Sequence, residues 1–437
     1  MTLADGYSMT DLRQTRRDEV LELDQWAFPS SAPDAALPLP LTWERTHGVM
    51  TSPPVQAEEL ADGKPPTGRG QLVAMHTSYP FSAFPVPGGD VPAAGLSWVG
   101  VHPQHRRRGL LSAMIDKHLA DCVDRGEVAS VLTATEPAIY GRFGYGIATQ
   151  TLRMTIPRGA RLIPVEGADD LTVRIETMDA DEHGSLLHDL HRRAGRQPIA
   201  GSSINRPGWA ARETDELKTV YLSDHPSQRG GREPLRIAIV ERDGEPRGYT
   251  TLRRKVDWTP AGPRGTVSTG EVVALDPAAA HRLWSTILDL DLTHETVPFM
   301  LPVDDAITSL LVDLRAAAPT IVDHVWVRLV DVPRALTART YASELDVTLR
   351  VTDPRLPAND GTWRLTATAF ETAEVTSTDR APDLSLDVKE LGGAYLGGTS
   401  LAALALAGRV REHTHGALAR ASTAFGWPVP PACSWNF

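Results

Sequence analysis

The chain has 437 residues, 41% of them hydrophobic, enough for two or three domains that each bury a core. Its net charge of −11 argues against general nucleic-acid binding and suits cationic substrates, and no apolar run reaches bilayer length, so no membrane partner is expected. Cys122 and Cys433 are its only cysteines, which implies no disulfide framework and, with no cysteine–histidine spacing, no metal site. Residues 1–7 lack the basic and apolar regions of a secretion signal, so the expected location is a reducing cytoplasm, or export without a recognisable signal.

In chain order, Leu12, Val20, Leu21, Leu23, Trp26 and Phe28 among charges predict one helix and a turn over 10–28. Residues 30–40, rich in Pro, Ala and Ser, read as a loop, and 60–70 as a Gly/Pro/Lys turn region. A strand is expected over 71–79 and a hairpin loop over 85–92. Residues 95–101 alternate Leu96, Trp98 and Val101 with small residues, which predicts a buried strand that Pro103 stops. Leu110, Leu111, Met114, Ile115, His118, Leu119 and Cys122 then recur at helical spacing, with Gly126 as the C-terminal cap. Between strand and helix lie Arg106, Arg107, Arg108 and Gly109. A helix N-terminus presents unpaired N–H groups and a positive dipole end, so this loop suits a pyrophosphate; a basic surface loop without a ligand is the plainer alternative. A second buried strand follows over 129–134, and then the string 135–146.

The motif Arg106-x-x-Gly109-x-Leu111 resembles the coenzyme A loop of GNAT-fold N-acetyltransferases, although Leu111 replaces the usual Gly or Ala. Together with Ile139-Tyr-Gly-Arg-Phe-Gly-Tyr-Gly146 it is similar to the enhanced intracellular survival (Eis) family of such enzymes. The resemblance extends over nearly the whole chain, weakly between the motifs.

Beyond Gly146 a strand is expected over 149–156, and then a linker. A new domain opens at 171–175, followed by a helical pattern over 179–193 that carries His183, His188 and His191. Their spacing favours solvated or partner-facing histidines over metal ligands. Residues 235–253 form a hairpin with Asp243 and Gly244 at its turn. The order strand, Pro277, helix, strand, helix over 271–314 faintly repeats that of 97–143, but its loop has neither the glycine nor two of the arginines. Residues 158–321 therefore read as a second, degenerate GNAT-like domain behind a first one at 1–157. A third unit over 322–437 begins with a strand at 323–330, and the resemblance implies a sterol-carrier-like fold for it. The expected class is mixed α+β: tandem GNAT-like domains plus this third one.

Acetyl transfer from a thioester to an amine needs a neutral amine, donors at the thioester carbonyl and a proton for the departing thiolate. The resemblance implies acetyl-CoA as co-substrate, with Val99, Gly100 and Val101 pairing with the pantetheine as an added strand would. Arg107, Arg108, Gly109, Leu110, Leu111 and Ser112 would hold the pyrophosphate, and Thr135 and Glu136 would flank the pantetheine. It makes Tyr140 the general acid, with Tyr145 as a structural neighbour, and the C-terminal carboxylate of Phe437 the base. A phenol, with a pKa of about 10, is protonated at neutral pH, and a terminal carboxylate, at about 3.5, is ionised. Asn436 stands where the family often has an acid, which weakens the expectation of tight aminoglycoside binding. In a GNAT fold, 10–28 lies over the acceptor site, so Asp24, Trp26 and Phe28 either line an amine pocket or belong to core and surface. The expected acceptor is an amine-bearing small molecule or a lysine side chain, and the expected assembly a homohexamer. An acyl-CoA sensor without turnover and a lipid-binding protein are the alternatives.

Overall fold

The computed structural model describes residues 3–28, 39–52, 70–199 and 201–437; most of the two loops expected over 30–40 and 60–70 lies outside the described residues. The first domain has strands β1 (Tyr7–Asp11), β2 (His47–Thr51), β3 (Leu72–Val86), β4 (Gly89–Val101), β5 (Ala129–Thr133) and β6 (Gly146–Ile147), with helices α1 (Arg17–Ala27) and α2 (Leu110–Asp124). Helix α1 starts later than the pattern over 10–28 suggested. Residues 7–11 are instead an edge strand paired with β2, and Leu12 is buried behind it. β3 and β4 join through a two-residue turn at Pro87 and Gly88, where Gly88 takes φ +69°. Strands β7 (Gln150–Arg153) and β8 (Ile156–Pro157) lead out of this domain.

The second domain contains β9 (Thr172–Thr177), α3 (Ala180–Arg196), α4 (Asp215–Tyr221), β10 (Arg236–Arg242), β11 (Glu245–Lys255), a small hairpin of β12 (Trp258–Thr259) and β13 (Gly262–Pro263), β14 (Gly265–Ala274), α5 (Pro277–Leu288) and β15 (Thr293–Pro298). The β10–β11 turn is Asp243-Gly244, both at positive φ as a tight hairpin requires. Two of the three histidines of α3 are in the interior and His188 is half-buried. His183 and His191 are buried; His183 Nε2 lies 3.0 Å from Glu176, and His191 Nε2 lies 2.9 Å from Ser434 Oγ.

The first two domains exchange strands. β8 pairs with β15 at the edge of the second sheet, in the order β8-β15-β14-β11-β10-β9. β16 (Thr320–Asp323) pairs with β7. β17 (Val325–Leu329), expected to open the third unit, instead lies between β5 and β6 in the first sheet, ordered β1-β2-β3-β4-β5-β17-β6. A fully buried strand satisfies its apolar run in any sheet interior, so periodicity cannot say which sheet takes it.

The remaining chain builds a five-stranded sheet from β18 (Leu345–Thr352), β19 (Gly361–Ala367), β20 (Ala373–Ser377), β21 (Leu384–Asp387) and β22 (Val410–Glu412), covered by helices that include α10 (Ala417–Phe425). The chain also forms helices α6 (Ile307–Leu310), α7 (Val332–Ala338), α8 (Val388–Ala394) and α9 (Leu401–Leu406). Arg339 is buried in this third domain. It donates to Tyr395 O at 2.6 Å and Phe425 O at 2.9 Å and lies over the Tyr341 and Phe425 rings. No described helix is long and apolar enough to cross a membrane.

Candidate active site

β4 and β5 run parallel and pair from Ala93 to Gly95; beyond that point their paired register ends. The separation has a local cause on the other edge of β4. Its register with β3 jumps from Thr77↔Ser97 to Met75↔Gly100, so Trp98 and Val99 oppose His76 alone, and Trp98 is forced to φ +53°. Such a bulge bends and twists the strand that carries it. The free edge of β4 then offers backbone groups to a ligand that can lie along it as a further strand.

The loop after β4 closes one end of the split. Arg107 at φ +63° and Gly109 at φ +80° turn the chain into α2, and Gly109 has no side chain with which to cap the helix. A Cβ at Gly109 would meet nothing within 4 Å, so glycine is there for its backbone conformation. The uncapped first turn leaves N–H donors beside Arg106 and Arg107, a setting suited to phosphate oxygens.

A cavity of about 880 Å³ runs from this loop along the split. Val99, Gly100, Val101, Arg107, Gly109, Leu110, Leu111 and Ser112 line one side; Thr135, Glu136 and Tyr140 line the other. Asp24 and Phe28 at the end of α1 also border it, as do Asn436 and Phe437. Burial, and secondarily Glu136, push the Tyr140 phenol up to about 12. Tyr145 is fully buried, its hydroxyl 2.7 Å from Ser130 Oγ, and so belongs to the core. Burial raises Asp24 to about 6, so it is ionised at neutral pH and offers an ammonium group a counter-charge.

The C-terminal segment is tied down along its length. Arg206 donates to Pro430 O at 2.8 Å, and Trp435 Nε1 to Ala210 O at 2.8 Å. Asn436 Oδ1 lies 3.0 Å from His324 Nε2, and Thr133 Oγ1 donates to a main-chain oxygen of Phe437 at 3.0 Å. The Phe437 ring packs edge-on against Phe81 and Trp435. Its seat depends on Gly95, where a Cβ would come within 2.5 Å of the Phe81 ring and 3.2 Å of the Phe437 ring.

Residues 10–148 match a model of an acetyltransferase (GNAT) domain, 208–329 a second GNAT model, and 332–434 a sterol carrier protein domain. An N-acetyltransferase of Streptomyces avermitilis is 44% identical over 348 residues, covering 79% of this chain and 82% of its own. N-acetyltransferase Eis of Mycobacterium tuberculosis is 34% identical over 379 residues, covering 85% and 87%. The chain belongs to the Eis-like N-acetyltransferases. The crystal structure of Eis1 from Mycobacterium abscessus superposes with a TM-score of 0.77 at 28% identity, covering 99% of this chain and all of that one.

Two of the residues that sequence singled out for this Eis-like site lie outside the cavity lining. Trp26 is 55% exposed and packs against the His102 ring at 5.0 Å, because the end of α1 turns Asp24 and Phe28 inward and leaves Trp26 on the outer face. Arg108 turns back to donate to Tyr7 of the edge strand at 2.9 Å. The lining also includes residues for which the sequence suggested no role in the site, among them Trp98, His105, Thr133 and Arg142. Thr133 and Trp98 were visible only as strand residues; the alternation gives their face and not the split beside them.

In the second domain the helix that follows β14 starts differently. Asp276 caps α5 by accepting from Ala279 N at 2.9 Å, and Arg247 pairs with that carboxylate. A fixed anion already occupies the position at which the first domain leaves free donors.

Proposed function

We propose that this N-acetyltransferase moves the acetyl group of acetyl-CoA to a primary amine, of an aminoglycoside, a polyamine or a lysine side chain, by direct attack in a ternary complex. The observation that carries this reading is that one continuous cavity joins the uncapped basic loop, the free edge of β4, Tyr140 and Phe437. Arg107, the Gly109 turn and the first turn of α2 hold the pyrophosphate. The free edge of β4 at Val99, Gly100 and Val101 takes the pantetheine, with Thr135 and Glu136 opposite. N–H groups of that edge polarise the thioester carbonyl. A lysine-like ammonium, pKa about 10.4, has no lone pair, so the Phe437 carboxylate takes a proton from the amine, directly or through water. The amine lone pair forms the new C–N bond, the C–S bond breaks as Tyr140 gives its proton to the sulfur, and the second proton shed by the nitrogen returns to the Tyr140 oxygen. Asp24 and Phe28 receive the acceptor. A covalent acetyl-cysteine route is disfavoured, because Cys122 and Cys433 are both buried and burial raises both thiols. A thiol-release assay with a panel of amines tests the reading; acetyl-CoA that stays intact with every amine would sink it.

Acetyl-CoA is expected to bind once per chain, in the first domain, since the N-terminus of α5 is already capped. Arg107→Ala is expected to weaken that binding by about 1.5–3 kcal/mol, the loss of a hydrogen bond to a charged group. Calorimetry returning two sites per chain would contradict the degenerate reading of the second domain. The resemblance to the family carries the homohexamer with it, and light scattering that returned a single chain mass would refute that assembly.

A further inference from the structure

The second domain repeats the split of the first. Between β11 and β14 the register jumps from Leu252↔Thr269 to Thr250↔Val272, leaving Gly270 and Glu271 against Thr251 alone. The matching pair in β4 is Trp98 and Val99, so Glu271 stands where the first domain has a cavity-lining valine. β14 and β15 pair in parallel only from Gly265 to Thr269, as β4 and β5 pair only to Gly95.

A carboxylate buried at such a place requires partners. Arg212 meets Glu271 with Nη2 at 2.8 Å and Nη1 at 3.3 Å, and the Tyr249 hydroxyl donates to it as well. Burial by itself would raise the Glu271 pKa, but Arg212, His191 and the hydrogen bonds outweigh it and hold the group at about 2. A further partner comes from the far end of the chain: Ser434 Oγ donates to Glu271 at 2.6 Å. With its proton so used, Ser434 accepts from His191 Nε2 at 2.9 Å, and His191 stacks on Trp209 at 4.9 Å. Trp435 follows at once, 5.1 Å from the Arg212 guanidinium. This directed chain is not used by the chemistry above, and it ends on the segment that enters the cavity.

We propose that the split of the second domain serves as a socket for the C-terminal segment, in which Glu271, through Ser434, positions Phe437 and Asn436 in the cavity of the first domain. The inference rests on Phe437 acting as the base. Ser434 is three residues from Phe437, about 10 Å of extended chain. A displacement of about 1 Å at a reacting group can cost about 100-fold in rate, so a link at that range governs the geometry of the base. Glu271 and Ser434 are positioning residues that touch no reacting atom.

Ser434→Ala in the full chain breaks the link and leaves Glu271 paired with Arg212 and Tyr249. It is expected to lower kcat by about ten- to a hundredfold with acetyl-CoA affinity unchanged, and to change nothing further in a chain that lacks Phe437. A parent kcat in Ser434→Ala, where loss of Phe437 is costly, overturns the socket alone. A parent kcat in the chain without Phe437 overturns the base assignment and the socket with it. A Ser434→Ala loss that persists in full without Phe437 also overturns the socket, since the effect then does not pass through the tail. Should Ser434→Ala not fold, Ser434→Cys, which is somewhat larger but keeps a weak donor in place of the hydroxyl, carries the same comparison.

Discussion

Removal of Phe437 is expected to lower kcat by roughly 10²–10⁴-fold while acetyl-CoA affinity stays near the parent value, the usual scale of general acid–base help. Its neighbours in the fold include Gly95, Thr133, Phe81 and Trp435, and it has no part in holding the phosphates in this mechanism. Tyr140→Phe is expected to give a loss of the same order by removing only the phenolic proton. Because Tyr140 is held up to about 12, it remains protonated below that pH, so the acid contributes no alkaline fall of kcat near neutrality. The two losses are expected to be strongly non-additive, since one transfer uses both groups. Steady-state kinetics of the two variants and their double settle the point. If the chain without Phe437 turns over at the parent rate, the base lies elsewhere, and Glu136, which lines the same cavity, is the next group to test.

What sequence revealed and what it hid divide along physical lines. Helix α2 was legible to the residue because Leu110 through Cys122 repeat at helical spacing and Gly126 ends the pattern at φ +70°. The turn of the loop was legible because Gly109 stands directly before the helical pattern, where the chain takes a positive φ. The strand at 7–11 was not, since its order comes from pairing with β2 on a sheet edge and Leu12 alone hinted at a buried side. Nor was the exchange of β8 and β17, because alternation fixes which face is buried and says nothing about the neighbouring strand. The seat of Phe437 joins residues 304 positions apart. Glu271 read as one more strand residue until Arg212 and Ser434 appeared beside it. Charges in alternating strands ordinarily face solvent, and only the buried partner makes an exception visible.

The largest stability loss is expected where the exchanged strand meets the third domain. Arg328 of β17 is fully buried, with Nη2 at 2.7 Å from each oxygen of Asp353 and Nη1 donating to Leu329 O at 2.8 Å. Asp353 also accepts from Asn359 Nδ2 at 3.0 Å and from the N–H groups of Arg355 and Leu356 at 3.1 Å. One side of the pair lies in the interior of the first sheet, the other just beyond β18. Asp353→Ala leaves the guanidinium in that interior without a counter-charge, and breaking such a pair costs about 3–5 kcal/mol. The midpoint of urea unfolding is expected to fall accordingly. Replacing both partners together, Arg328→Met with Asp353→Leu, is expected to cost less than Asp353→Ala, because no charge is then stranded. A double variant as unstable as the single one would mean that the pair is held for its shape, by the Leu329 and Asn359 contacts, and that the ionic attraction contributes little.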